Sequence, residues 1–176
     1  MKRIVIVNGL IAGAIVSAML LISMPLHKSG VLNFDNGLLT GYASMVIALS
    51  MIFFGIRSYR DRHKNGTITF TQCLKVGLLI ALIAAILYAI TWEFYFAYDG
   101  GSFMASYSEY YLSKLSADGA SEAEIAKARA DMDELNLMYK NPAVRFAMTL
   151  AEILPVGILI TLFSSLVLRR RQPVAG

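Results

Sequence analysis

The sequence predicts an all-α membrane protein, a four-helix transmembrane bundle with an extracytoplasmic amphipathic helical hairpin between the third and fourth spans. Of its 176 residues, 57% are hydrophobic and only 16% are charged, whereas soluble domains are about half apolar and about a quarter charged. The apolar residues form four long runs, and a polar, acidic segment separates the third run from the fourth. These observations indicate that lipid, rather than water, surrounds most of the chain.

The four apolar runs are the predicted spans. Each holds about 20 residues, which matches a hydrocarbon core about 30 Å thick at about 1.5 Å per helical residue. We predict a single membrane domain over residues 1–176, with spans at about 4–24, 38–56, 74–97 and 144–168 and an external helical insertion at about 98–142. The first run has an alternative interpretation as a signal peptide, but it exceeds the usual apolar core of about 7–15 residues.

Lysines and arginines adjoin the apolar runs on one side of the predicted membrane. They precede the first run, occupy the loop between the second and third, and follow the fourth: Lys2, Arg3, Arg57, Arg60, Arg62, Lys64, Lys75, Arg169, Arg170 and Arg171. The positive-inside rule assigns this side to the cytoplasm. Both termini are therefore predicted to be cytoplasmic, and the acidic segment 98–142 is predicted to face outward.

Charge and cysteine content argue against several functional classes. The net charge is +4, but the basic residues adjoin apolar runs instead of forming an aromatic-interleaved face, so we expect no nucleic-acid partner. Cys73 is the single cysteine, and His27 and His63 fall in loops at opposite membrane faces, so no metal site is predicted. No nucleophile elbow, phosphate loop or metalloprotease motif occurs. We predict neither a cofactor nor an enzymatic activity.

Small residues recur at helical spacing within the spans and predict where helices pack. Gly9 and Gly13 lie four residues apart on the first span, Gly77 opens a similar series on the third, and Gly157 lies on the fourth. In lipid, such residues allow the close backbone approach that drives helix association. The spacing fits packing within one bundle, and it also fits a homodimer seam along Gly9 and Gly13.

The outward segment predicts two helices. Glycines at 100–101 break the third span, and apolar and aromatic residues repeat every three to four positions from Phe103 onward. Ser121 and Glu124 have the spacing of a capping box, and a second helix is expected from there to Asn141, before Pro142. Residues 103–140 are interpreted either as a lid or interfacial anchor on the membrane lipids or as a docking surface for an extracytoplasmic protein.

Two carboxylates in the spans are the candidate functional or structural polar sites, because ionisable groups in hydrocarbon are costly. Glu152 lies about 25 Å from Arg169 along a helix, whereas Glu93 is near the outer interface, where water reaches it. Pro155 is predicted to break the helix and free a carbonyl near position 151. Arg145 stands two turns before Glu152 on nearly the same face. Glu152 is interpreted as a hydrogen-bonded register determinant, a proton or ion site, or a binding group for a polar ligand.

The order of these features resembles one membrane family. The residues that carry the resemblance are Arg57-Ser58-Tyr59-Arg60-Asp61, Gly66-Thr67-Ile68-Thr69-Phe70, Gly77, Tyr88, Trp92, Glu152, Pro155 and Gly157. They are similar to the bacterial family catalogued as domain of unknown function 4199, over nearly the whole chain. The resemblance implies a small four-span helical protein of the bacterial cytoplasmic (inner) membrane. It implies no catalytic or ligand-binding residues.

Two functions are consistent with the sequence. The first is a non-enzymatic scaffold or a subunit that binds lipid or a protein partner, in keeping with the missing catalytic motifs and the long outward insertion. The second is a small transporter or ion-coupled protein that uses Glu152 and the helix break at Pro155. A water-filled cavity that reaches Glu152 favours transport, whereas a dry, closed bundle with an exposed apolar hairpin favours the scaffold.

Overall fold

The computed structural model describes residues 1–170, which form seven helices. The helices are α1 (Lys2–Lys28), α2 (Phe34–Leu49), α3 (Met51–His63), α4 (Phe70–Asp99), α5 (Ser102–Ala117), α6 (Glu122–Tyr139) and α7 (Pro142–Leu168). Within residues 1–170 there is no β-strand, although Ile68 and Arg170 form an isolated antiparallel bridge. The prediction of an all-α fold is therefore confirmed.

Four helical stretches are long and apolar enough to cross a membrane: α1, α2 together with α3, α4, and α7. Ser50 alone separates α2 from α3, and its backbone N–H still donates to the carbonyl of Val46. The helices extend beyond the predicted spans by several residues at most ends. The chain is a multi-pass membrane protein with four candidate spans, as predicted. Arg171 and the rest of the predicted basic tail lie outside the described residues.

Close contacts place α1 and α4 side by side in a parallel arrangement. Gly9 faces Ile83, and a methyl group added to Gly9 would lie 2.7 Å from the Ile83 Cβ atom. One turn further along, Gly13 faces Leu87. The Thr91 and Ser17 hydroxyls form a hydrogen bond of 2.9 Å in the same interface. The ridge of Gly9 and Gly13 is therefore covered by α4 of the same chain.

Helices α4 and α7 pack antiparallel through a second pair of glycines. A methyl group added to Gly77 would lie 2.5 Å from the Thr161 Cγ2 atom, and one added to Gly157 would lie 2.9 Å from the Ala81 Cβ atom. Neither glycine has room for a side chain. Small residues therefore set the distance between these two spans, as expected where apolar side chains gain little by leaving lipid.

Pro155 does not break α7, contrary to the expectation of a helix break. The helix runs without interruption from Pro142 to Leu168, with Pro155 inside it. Proline removes one backbone hydrogen bond, but transmembrane helices accept it where neighbouring structure supports the helix. Here Gly157, two residues later, is packed against Ala81 of α4.

Local sequence explains the boundaries of α5 and α6. Gly100 and Gly101 adopt positive φ angles of 65° and 84°, a conformation that glycine adopts readily. The Asp99 carboxylate then accepts hydrogen bonds of 2.7 Å from the Ser102 hydroxyl and from the backbone N–H of Phe103. Helix α6 begins after Ser121, whose side chain and backbone exchange hydrogen bonds with Glu124. Helices α5 and α6 contact each other but bury none of their residues fully.

The bundle has two distinct ends. The basic end holds the start of α1, the loop between α3 and α4, and the end of α7, where Ile68 pairs with Arg170. The opposite end, called the α5–α6 end below, holds the ends of α1 and α4 and the starts of α2 and α7. An ion pair of 2.7 Å between Lys28 and Asp99 joins α1 to α4 there, and Lys114 of α5 pairs with Asp35 of α2.

Candidate functional site

A cavity of about 390 Å³ lies between the helices in the half of the bundle nearer the α5–α6 end. Its wall contains residues of α1, α2, α4, α5, α6 and α7. Seven aromatic side chains contribute to it: Phe34, Tyr42, Tyr88, Trp92, Phe103, Tyr107 and Tyr139. Five methionines also line it, and their flexible side chains adapt to irregular shapes. The volume falls within the range of about 300–1,000 Å³ that is typical of ligand pockets.

Glu152 lines this cavity from α7, together with Met148 and Thr149 on the same face. The residue is exposed, and within residues 1–170 its carboxylate forms no hydrogen bond or ion pair. The Thr149 hydroxyl donates instead to the backbone carbonyl of Arg145 at 2.9 Å. Glu152 is therefore placed beside open space rather than within a polar network of the protein.

Arg145 binds Glu93 of α4, not Glu152. Its Nε donates to Glu93 Oε1 at 2.9 Å, and its terminal nitrogen NH2 contacts Oε2, which makes a two-point ion pair. The other terminal nitrogen donates to the backbone carbonyl of Tyr139 at 2.9 Å, and the guanidinium lies 4.0 Å from the centre of the Phe96 ring. The side chains of Arg145 and Glu93 are only 8% and 24% exposed. This pair joins α4 to α7 beside the cavity.

Tyr139 and Trp92 form the wall next to that ion pair. The indole Nε1 of Trp92 donates to the Tyr139 hydroxyl at 2.8 Å. Burial raises the pKa of Tyr139 above its ordinary value, so its phenol is protonated at neutral pH. Because the indole occupies the oxygen as an acceptor, the phenolic proton is left to donate to another group.

His27 lies at the edge of the cavity nearest the α5–α6 end. Its ring fits against Gly37, where a side chain on α2 would collide with it. The ring stacks on Phe34 at 5.5 Å between centroids and meets Phe103 edge-on at 6.4 Å. Its Nδ1 atom is buried without a hydrogen-bond partner in residues 1–170. Over the same residues, no three His, Cys, Asp or Glu side chains gather as metal ligands.

The other acids at this level of the bundle have basic partners, which distinguishes Glu152. Glu93 pairs with Arg145, Asp99 with Lys28, and Asp35 with Lys114. Apolar and aromatic walls with a few polar groups are typical of small-molecule sites. The arrangement is therefore suited to bind a molecule with an apolar body and a polar group placed near Glu152.

Sequence reasoning selected Glu152 and Glu93 but missed their surroundings. Neither the cavity nor the pairing of Glu93 with Arg145 follows from spacing along one helix, because 52 residues separate the partners. Their depth in the membrane could have revealed this ion pair. Glu93 and Arg145 lie near the outer ends of the third and fourth predicted spans, and consecutive spans run antiparallel. The contact between Trp92 and Tyr139 depends on how α6 joins α7, which no sequence pattern specified.

Comparison with known proteins identifies a family but supplies no activity. Neither the curated proteins nor the solved structures include a match to the chain. A family model described as "Protein of unknown function (DUF4199)" matches residues 8–170. That match covers all four candidate spans except the first residues of α1. The chain therefore belongs to the family of proteins of unknown function DUF4199.

Proposed function

We propose that this protein is a non-enzymatic membrane subunit that binds the apolar part of an amphipathic molecule, such as a membrane lipid, in the cavity beside Glu152. The cavity of about 390 Å³ carries this proposal. Its apolar wall suits an acyl or alkyl chain, while Glu152, the Tyr139 hydroxyl and His27 supply groups for a polar head. The serine and threonine hydroxyls in the cavity wall donate to backbone carbonyls of their own helices, and within residues 1–170 none forms a hydrogen bond with His27 or Glu152.

The rim of the cavity supports entry from the bilayer. Leu38 and Tyr42 of α2 and Met148 of α7 border it, and they are 71%, 42% and 37% exposed, respectively. Apolar side chains exposed on a transmembrane helix contact lipid chains. A molecule already dissolved in the bilayer therefore reaches the cavity between α2 and α7 without crossing a polar surface.

Native mass spectrometry of the protein extracted with its lipids tests the proposal. Gly41 lines the cavity, and a Cβ atom added there meets nothing within 4 Å. Gly41→Leu should therefore fill the space with little strain, and the wild type should retain a lipid-sized mass that this variant loses. Ala43→Leu, on an exposed position of α2 outside the cavity wall, is the matched control. Equal retention by all three proteins would contradict the proposal.

A small ion-coupled transporter is the second candidate, and the unpaired Glu152 favours it. A carboxylate beside a cavity can bind and release a proton. Transport also requires a path to the basic end, where Gly55, Gly77 and Gly157 are closely packed, so the bundle would have to open. In liposomes with a pH gradient, Glu152→Gln should abolish flux if this candidate is right. Flux that is unchanged by Glu152→Gln, or absent from the wild type, would exclude it.

The location and orientation are also part of the proposal. We place the protein in a bacterial inner membrane with both termini in the cytoplasm, on the asymmetry of lysine and arginine. Helices α5 and α6 would then be extracytoplasmic and offer residues 103–140 to a protein partner or to lipid headgroups. A cysteine replacing Glu122 should react with an impermeant thiol reagent on intact cells, and one replacing Asp61 should not. The reverse labelling would overturn the orientation.

A further inference from the structure

We infer that the cavity selects amphiphiles with a positively charged head, an alkylammonium group held by Glu152. This inference rests on the proposed function, because it specifies the ligand of the same cavity. The carboxylates around the cavity differ in whether their charge is compensated. Glu93, Asp99 and Asp35 are each compensated by a basic side chain, whereas Glu152 has no such partner within residues 1–170.

Glu152 is exposed, but it lies within a candidate membrane span and in the wall of a largely apolar cavity, so charge complementarity is important there. A carboxylate among apolar side chains is costly unless a cation or hydrogen-bond donors compensate it. The nearest cation on α7, Arg145, is held by Glu93 and the Tyr139 carbonyl. It therefore neither neutralises Glu152 nor repels an incoming cation, since its own charge is balanced. An ammonium head supplies the missing charge.

Aromatic rings around the carboxylate favour the same ligand. Tyr88 and Trp92 of α4 and Tyr139 of α6 line the cavity with Glu152. The faces of such rings attract ammonium groups, and this attraction strengthens when water is excluded. An anionic head would gain neither interaction and would be repelled by Glu152. His27 also lines the cavity at its edge, and its Nδ1 atom is buried without a hydrogen-bond partner in residues 1–170.

The chemical class is therefore an alkylammonium compound, primary to quaternary, with an apolar chain that fits a cavity of about 390 Å³. An alternative is a neutral amphiphile that accepts a hydrogen bond from a protonated Glu152. These two ligand classes can be distinguished by compounds that have the same chain length and differ in the charge of the head group.

The test uses three decyl amphiphiles: decyltrimethylammonium, decanol and decanoate. The full-length protein is placed in phosphatidylcholine nanodiscs, and each compound is titrated while the fluorescence of Trp92, the single tryptophan, is recorded. We expect the wild type to bind the ammonium compound at least tenfold more tightly than decanol. Glu152→Gln should remove that preference while decanol binding persists. Glu122→Gln, which removes an exposed charge on α6, should keep it.

The outcomes separate the inference from the proposed function. If the wild type prefers decanol, or binds all three compounds equally, the charge inference is wrong although the cavity still binds amphiphiles. If Gly41→Leu leaves binding of every compound unchanged, the cavity is not the site and the proposed function fails as well. The wild-type comparison needs no variant, so it decides the charge preference even if Glu152→Gln does not fold.

Discussion

The two halves of the bundle contain the same four spans but differ in how closely those spans approach. Toward the basic end, glycines lie directly against side chains of neighbouring helices: Gly55 against Ile80 and Gly77 against Thr161. Toward the α5–α6 end, bulky aromatic and methionine side chains hold the helices around a cavity, and ion pairs connect them. The first half is held by close backbone approach and the second by polar links at its edge.

This difference shows how a small membrane protein can contain a cavity. In lipid, helix association depends on van der Waals packing and a few polar contacts, because apolar burial gains little. When one half supplies tight packing, the other half can tolerate open space. The ion pair of Arg145 with Glu93 and the hydrogen bond of Trp92 to Tyr139 then fix the distance between α4 and the segment where α6 meets α7.

Loss of the Arg145 ion pair should have the largest effect on stability. Arg145→Met leaves Glu93 without its partner in a mostly buried position, and breaking such a pair costs about 3 kcal/mol. The measurement is the free energy of unfolding in mixed micelles. Arg129→Met, at an exposed position of α6, should change it little. The double variant Glu93→Leu with Arg145→Met should recover part of the loss; a double variant less stable than Arg145→Met would contradict this role.

Filling the two halves with the same side chain should give different results. Gly77→Leu inserts a side chain where only 2.5 Å separates an added Cβ atom from Thr161, so we expect destabilisation of about 2 kcal/mol. Gly41→Leu enters open space and should change the unfolding free energy by less than about 0.5 kcal/mol. Thermal unfolding of both variants in the same detergent checks the contrast. Equal losses would mean that the halves are packed alike.

Removal of the Tyr139 hydroxyl should have a smaller effect. Tyr139→Phe leaves the indole N–H of Trp92 without its acceptor, which costs about 1 kcal/mol. Because Trp92 is the single tryptophan, its fluorescence maximum should shift to shorter wavelength when the hydrogen bond is lost. Tyr98→Phe, at an exposed position near the end of α4, is the control. An unchanged spectrum in Tyr139→Phe would contradict the contact.

The smallest expected effect concerns the start of α6. Hydrogen bonds from the Ser121 backbone N–H and hydroxyl lower the pKa of Glu124 below its ordinary value of 4.5. The carboxylate therefore stabilises the helix start above pH 4.5, and this contribution is lost as the pH falls through the lowered pKa. Amide exchange in α6 should be slower in the wild type than in Glu124→Gln at pH 6, and the two rates should be equal at pH 2. If the ratio of the two exchange rates did not change with pH, the stabilising role of the Glu124 carboxylate would be excluded.

The sequence predicted the helices and their boundaries well, but it predicted the contacts between helices poorly. The four spans, the capping pair of Ser121 with Glu124, and Pro142 at the start of α7 follow from local rules of length, capping and backbone geometry. The expected break at Pro155 was wrong: α7 continues through it, and Gly157, two residues later, is packed against Ala81 of α4. The cavity depends on how six helices fit together in space, so no local pattern could predict it.

Quenching of Trp92 by brominated lipid tests the central claim, that the cavity is open to the bilayer, most directly. The protein is reconstituted in phosphatidylcholine with bromine atoms midway along the acyl chains, and its fluorescence is compared with that in the unbrominated lipid. Quenching should be strong in the wild type and in Ala43→Leu, and at least halved in Gly41→Leu, because Gly41 and Trp92 line the same cavity and a leucine at position 41 would take up part of its open space. Equal quenching in the three proteins would show that lipid does not reach Trp92 through this cavity.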